Sequence, residues 1–189
     1  MILNVIAYIL IPAYTIWFVE GTDWFATNFS VLGNTIGRKE EFVLWGLIVG
    51  IYFFWCLRRI VSFIRPRMRG SSLIPSSLLL LTCALTTPYL PEELPLKSFL
   101  HIIFAFMAAV CLMICLYLIV WKLYKTDKDR YRPYLTALAS ITLISAVLLG
   151  LAGIVSSALE IFFTISTVIL VRKLLKRTAV PPKFLKKRF

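Results

Sequence analysis

The sequence has a single histidine, His101, and its four cysteines, Cys56, Cys83, Cys111 and Cys115, all lie inside apolar runs. A zinc centre takes three or four His, Cys or carboxylate ligands, which this inventory does not assemble, and no metal or other cofactor is expected. Thiols buried in apolar runs also argue against a disulfide framework and read as packing residues. Acids are few, nine against 21 Lys and Arg, and no apolar run carries the series of charges that an ion pathway needs. The internal repeat common in transporters is not evident. The stretch from Gly33 to Lys39 has two glycines and two basic residues, but its spacing is wrong for a phosphate loop and no Lys-Ser/Thr pair follows. The first apolar run, Ile2 to Val19, lacks both a basic leader and a small-residue cleavage site before Glu20. It is therefore expected to be a retained span and not a signal peptide.

What the chain does have is apolar length. Hydrophobic residues make up 60% of it and the mean hydropathy is +0.86, well beyond a soluble domain, which is about half apolar. Spans of roughly 20 residues each consume most of the 189 residues and leave no room for a separate soluble domain. The expected fold is an all-α integral membrane protein, a six-transmembrane-helix bundle over residues 1–175. Residues 176–189 are expected to form a basic amphipathic cytoplasmic tail.

The order of charge gives the expected topology. Of the 21 basic residues, 18 fall in three blocks: five from Arg58 to Arg69, five from Lys122 to Arg132, and eight from Arg172 to Arg188. Each block follows an even-numbered apolar segment. Only Arg38, Lys39 and Lys97 lie on the other side, an asymmetry that places both termini in the cytoplasm. The net charge of +12 is not a nucleic-acid signature here, because the cations flank apolar spans. Membrane lipid with anionic headgroups at the cytoplasmic face is the expected partner, at about 1 kcal/mol per Lys or Arg near the surface. The sequence does not specify an oligomeric state.

The expected spans are Ile2 to Val19 with a kink at Pro12, Phe42 to Leu57 extending towards Phe63, Leu73 to about Tyr89, Phe99 to Trp121, Tyr134 to Val155, and Ser157 to Val171 continuing to Leu175. Gly46 and Gly50 form a small-xxx-small pair that permits close helix approach. Gly150, Gly153, Ser156 and Ser157 supply the turn between the last two spans. The connection Glu20 to Glu41 mixes Trp24, Phe25, Phe29, Val31, Leu32 and Ile36 with polar residues, which is too apolar for a solvated loop. It is expected to fold back as a partly folded outer loop, with its backbone buried in protein or facing water.

Sparse polar groups then converge at the outer ends of the helices. His101 shares a helical face with Ala105, Ala108 and Cys115, a small-residue face that should point into the bundle; it is either an interfacial histidine bonded to a loop or a general base. Glu160 heads a stripe with Ser156, Thr164 and Thr167, and an intramembrane acid is a functional candidate. Thr82 and Thr86 either line the same cavity or bond the carbonyls of their own helix, and the second is the expectation. Asp23, Asn28, Ser30 and Asn34 belong to the outer loop on the same side. The Asn28-Phe29-Ser30 sequon is expected to stay unmodified in its apolar surroundings. The candidate catalytic set is His101 as base, Glu160 or Asp23 orienting it, and Ser30 as nucleophile, with Asn28, Asn34 and Thr164 as candidate binding residues.

Three stretches resemble a known pattern: Asp23 to Asn34 after the first span, Leu100-His101 with Ala105 one turn on, and Ser157-Ala158-Leu159-Glu160 opening the last span. In these the chain resembles a prokaryotic six-span family distantly related to the damage-regulated autophagy modulators and GPI-anchor lipid-remodelling proteins. The resemblance implies a six-helix bundle in a prokaryotic plasma membrane with an outward-facing, lipid-related site at Asn28, Ser30, His101 and Glu160. The expectation is a pocket facing the outer leaflet that binds or remodels lipid by acyl or headgroup transfer. The alternatives are a non-catalytic membrane scaffold or regulator, and a small-solute transporter.

Overall fold

Local chemistry sets most of the helix ends. The computed structural model describes residues 1–34, 36–64 and 70–180, and among them the regular structure is entirely helical. The first helix, α1 (Ile2–Phe18), contains a π-helical turn at Ile6–Leu10 in which the Ile11 N–H reaches back to the Ile6 carbonyl. Pro12 lacks the N–H of a regular ladder, and the widened turn just before it absorbs the mismatch. A short helix, α2 (Phe29–Asn34), precedes α3 (Lys39–Ser62), whose first turn carries Glu40 and Glu41 at the positive end of the helix dipole. Then come α4 (Leu73–Thr86), α5 (Pro95–Thr126), α6 (Lys128–Ala152) and α7 (Ser157–Ala179). Pro95 opens α5 where its missing N–H costs nothing. Asp127 alone separates α5 from α6 and caps α6 by accepting the Arg130 N–H at 3.1 Å.

The break between α6 and α7 follows the sequence expectation. Gly153 ends α6 in the left-handed conformation at φ 70°, and the Ser156 side chain accepts the Leu159 N–H to start α7. Elsewhere the boundaries differ by a few residues. The third expected span stops at Thr86, because Pro88 pushes Thr87 into extended backbone. The last helix continues past Leu175 to Ala179, so residues 176–179 of the expected tail are helical. The rest of the expected tail, residues 181–189, lies outside the described residues, as do Arg65, Arg67 and Arg69 of the first basic block.

Neighbouring helices pack in chain order from α3 to α7, and α1 closes the ring between α3 and α7, which also touch each other. The main core fills this ring with Tyr52, Cys56, Leu57 and Ile60 of α3, Cys115, Leu116 and Ile119 of α5, Leu138 of α6, and Val168, Val171 and Leu174 of α7. The Tyr52 hydroxyl donates to the Val168 carbonyl at 3.1 Å across it. All four cysteines are free thiols. Gly46 and Gly50 bring α3 close to α4: a Cβ at Gly46 would lie 2.6 Å from the Leu85 methyls, and one at Gly50 would lie 2.9 Å from Leu78.

Among the described residues three helices, α3, α5 and α6, are long and apolar enough to cross a membrane. At 1.5 Å per residue, α5 extends about 48 Å, α3 about 36 Å and α6 about 37 Å, against a hydrocarbon core of roughly 30 Å. Of the others, α1, α4 and α7 fall short of the same measure for two reasons. α1 and α4 are apolar but reach only about 25 Å and 21 Å, and α7 carries Glu160 near one end and Arg172, Lys173, Lys176 and Arg177 near the other. In α6 only 11% of the most apolar stretch is buried in the protein, and Leu143, Val147 and Leu151 stand well exposed. An apolar exterior of this extent is compatible with an integral membrane protein.

Charge separates the two ends of the bundle. At one end the Arg172 Nε donates to Asn4 Oδ1 at 2.7 Å, and Arg130 Nη2 donates to the Arg177 and Val180 carbonyls. At the other end Arg38 Nη1 donates to the Phe18 carbonyl at 2.8 Å and lies over the rings of Trp17 and Phe18, closing the C-terminus of α1.

The glycines give opposite expectations. A Cβ at Gly33 would sit 2.7 Å from Phe42 Cβ, an atom fixed to the α3 backbone, whereas Gly150 has open space around it. Gly33→Ala should lower stability by about 1–3 kcal/mol through overpacking. Gly150→Ala should leave it unchanged or raise it by up to about 1 kcal/mol through helix propensity. Thermal unfolding of the two variants in detergent checks both.

Candidate functional site

The connection between α1 and α3 is built from local hydrogen bonds. Asp23 Oδ1 accepts the N–H groups of Phe25 and Ala26 at 2.9 and 3.2 Å, forming a turn that the Thr27 hydroxyl tightens by donating to the Asp23 carbonyl at 2.6 Å. Asn28 then caps α2, its Oδ1 accepting the Val31 N–H at 2.9 Å. Asn34 Nδ2 donates to the Ser30 carbonyl at 3.0 Å. Phe29 and Leu32 are completely buried, and the Phe29 ring meets Phe18 and Trp45 edge-on at 5.2 and 4.8 Å. The connection therefore folds back onto the bundle.

Two side chains from distant helices hold consecutive residues of α2. Glu160, in the first turn of α7, accepts the Phe29 N–H on Oε2 at 2.7 Å. His101, in the second turn of α5 and almost fully buried, has Nε2 2.7 Å from the Ser30 hydroxyl. The other ring nitrogen, Nδ1, lies 2.8 Å from the Thr87 carbonyl. A carbonyl cannot donate, so this contact assigns the ring proton to Nδ1; in the neutral imidazole Nε2 is then the acceptor and the Ser30 O–H donates to it. Tyr89 and Phe42 wall the imidazole with ring centroids 5.5 and 6.3 Å away.

Further backbone bonds fasten the same connection to the start of α7. The Ser157 N–H donates to the Thr27 carbonyl at 2.7 Å and the Ala158 N–H to the Trp24 carbonyl at 2.8 Å, while the Thr27 and Ser157 hydroxyls lie 3.5 Å apart. These are N-terminal amides of α7 that have no partner within their own helix.

Of the residues singled out from sequence, Ser30, His101, Asn28 and Glu160 thus meet around α2, with Asn34 at its far end. Asp23 spends its described hydrogen bonds on its own turn; orientation of His101 comes from the Thr87 carbonyl instead. Thr164 is buried one turn further along α7 than Glu160. Thr82 and Thr86 donate to carbonyls of their own helix, Leu78 and Thr82, at 2.9 Å. The contributions of Thr87, Thr27 and Trp24 are made by backbone carbonyls, which residue type does not advertise. One signal is present for Thr87: it precedes Pro88, so its backbone is extended at ψ 122° and its carbonyl leaves the helix ladder.

Comparison with family models, with curated proteins and with solved structures finds no match for this chain.

The Glu160 contact gives a graded expectation. Glu160→Ala leaves the Phe29 N–H without its acceptor and should cost about 1–3 kcal/mol. Glu160→Gln keeps a carbonyl oxygen at that distance and should cost less than half as much. Thermal unfolding, with limited proteolysis between Glu20 and Asn28 as a local readout, measures both.

Proposed function

We propose that this chain is a six-span integral membrane protein with cytoplasmic termini whose outward-facing end binds lipid and remodels it by acyl transfer. The observation that carries the reading is the relay from Ser30 Oγ to His101 Nε2 and from Nδ1 to the Thr87 carbonyl. It sets a hydroxyl against the free lone pair of an oriented imidazole, which is what a serine nucleophile requires. In that role the Thr87 carbonyl fixes the tautomer, as a carboxylate does in other nucleophile–base pairs.

The chemistry follows from the same atoms. Ser30 Oγ attacks the carbonyl carbon of a lipid ester and its proton passes to His101 Nε2. Collapse breaks the ester C–O bond, and the departing alkoxide takes the proton, leaving the acyl group on Ser30. Water or a second lipid hydroxyl then attacks, gives its proton to Nε2, and Ser30 recovers that proton as the acyl–oxygen bond breaks. Asn28, whose Oδ1 is engaged by Val31, has its amide nitrogen as the candidate donor to the developing oxyanion. Lipid is the favoured substrate class because Phe99, Ile102, Ile103 and Phe106 beside His101 on α5, and Trp24 and Phe25 on the connection, are exposed. Anionic headgroups at the opposite, basic end are the expected second partner.

A second reading has its own support. Ser30, Glu160, Asn28 and Asn34 all have partners inside the protein, so the group also suits a scaffold whose polar residues staple α2 in place. A serine-reactive fluorophosphonate probe and a fluorogenic phospholipid ester, applied to the protein in nanodiscs, separate the two. Ser30→Ala should abolish labelling and turnover, and His101→Gln should lower turnover by about 10²–10⁴-fold, both with folded yield retained. If the wild type is neither labelled nor active while the variants lose thermal stability, the residues are a staple.

The orientation has a separate test. A phosphatase fused after Phe189 should be inactive and a fluorescent protein fused there should mature, as expected of a cytoplasmic C-terminus. An active phosphatase fusion would reverse the topology.

A further inference from the structure

The basic end of the bundle contains a cleft that the acyl-transfer reading does not use. It lies between α6 and α7 and has a volume of about 450 Å³, within the roughly 300–1,000 Å³ of ligand clefts. Its mouth carries Arg130, Lys173 and Arg177 against one acid, Asp129. Its floor is mainly apolar, with Ala137 and Ile141 on one wall and Ile169 and Leu170 on the other, and Ser166 at the inner end.

We propose that this cleft binds one anionic phospholipid of the adjacent leaflet, with the phosphate at the three cations and an acyl chain along the apolar floor. Three observations favour that occupant. The first is charge: the mouth has an excess of two positive charges, and Arg130 Nε is buried there with no hydrogen-bond partner among the described residues. Arg130 Nη2 already closes the C-terminus of α7 through the Arg177 and Val180 carbonyls, so the guanidinium is fixed in place before any ligand arrives. The second is depth. The cleft runs from Arg130 to Ile141 on α6 and from Arg177 to Ser166 on α7, about 16 Å of helix on each wall, or close to one leaflet of a roughly 30 Å hydrocarbon core. A free phosphate would fill only the mouth. The third is access: α6 has the most outward-facing apolar surface of the three long helices, so a chain enters sideways from the bilayer without crossing a polar barrier. Tyr134 stands between mouth and floor, its hydroxyl donating to the Lys173 carbonyl at 3.3 Å, the level at which an aromatic residue meets the headgroup boundary.

This inference rests on the membrane reading but not on Ser30 or His101. The test uses the full chain in neutral detergent, with phosphatidylglycerol, phosphatidylcholine and inorganic phosphate as probes, read by native mass spectrometry and by the rise in melting temperature. Wild type should retain phosphatidylglycerol in preference to phosphatidylcholine. Lys173→Gln/Arg177→Gln should weaken phosphatidylglycerol binding by roughly 30-fold. Ile141→Trp, which fills the floor without changing charge, should weaken it too. Arg58→Gln/Arg59→Gln loses the same charge elsewhere and should bind as wild type, as should Ser30→Ala, which separates this site from the acyl-transfer reading. Equal retention of both lipids, unchanged binding by the Lys173/Arg177 variant, or full competition by inorganic phosphate would overturn the proposal. A wild type that stays soluble without detergent would remove the membrane reading itself.

Discussion

α2 has six residues, Phe29–Asn34, too few to be stable alone, since a helix of this length pays for nucleation without recovering it. It exists because the bundle supplies what it lacks. Phe29 and Leu32 bury their side chains among Phe18, Phe42 and Trp45, and the N–H groups that any helix start leaves unbonded are taken by Glu160 and Asn28. Because these acceptors come from α7 and from the preceding turn, the position of α2 depends on the α6–α7 break that starts α7 where it does. The same docking fixes where Ser30 meets His101.

This dependence runs in both directions. Glu160 sits in the first turn of α7, where the helix dipole favours a carboxylate, and it finds a backbone donor in a setting where an unpaired carboxylate would be costly. His101 is likewise held at both nitrogens, by Ser30 and by the end of α4. One short segment therefore joins α1, α3, α5 and α7 at a single end of the bundle, and Gly33 lets it lie directly against Phe42. A preorganised nucleophile and a structural staple require the same rigid contacts, so geometry at rest is common to both readings and reactivity distinguishes them.

Much of this was legible in the sequence, for reasons tied to particular residues. Gly153 and Ser156 mark the α6–α7 break because each has a conformational or capping role that few residues share. The apolar residues at Phe29 and Leu32 mark the 20–41 connection as folded back, since a solvated loop would not carry them. The partners of His101 were less accessible: Ser30 is one of several hydroxyls, and Thr87 acts through its carbonyl, so only the neighbouring Pro88 hints at it. Arg38 reads in sequence as a minor exception to the charge pattern, yet it closes the end of α1 and stacks on Trp17 and Phe18. The count of spans was the least legible quantity, because apolar length is a property of a segment and crossing is a property of the bundle. α1 and α4 are apolar but short, and hydropathy does not say how short helices share a bilayer with a helix as long as α5.

The two ends of the bundle handle burial by different means. At the α2 end, the buried polar groups His101 and Glu160 are each matched to a partner on α2. At the Arg130 end, cations outnumber acids, and the carbonyls at the C-terminus of α7 use only part of them. Cations gathered where helices end are favoured by the dipole but repel one another, and the repulsion is smallest when an anion sits among them. An arrangement of Arg130, Lys173 and Arg177 around this cleft, with Asp129 the one acid among its described lining residues, therefore leaves a charge excess that the described residues do not balance. A lipid phosphate on an acyl chain balances it without burying a second protein surface, and it is available wherever the helices around that cleft lie in a bilayer.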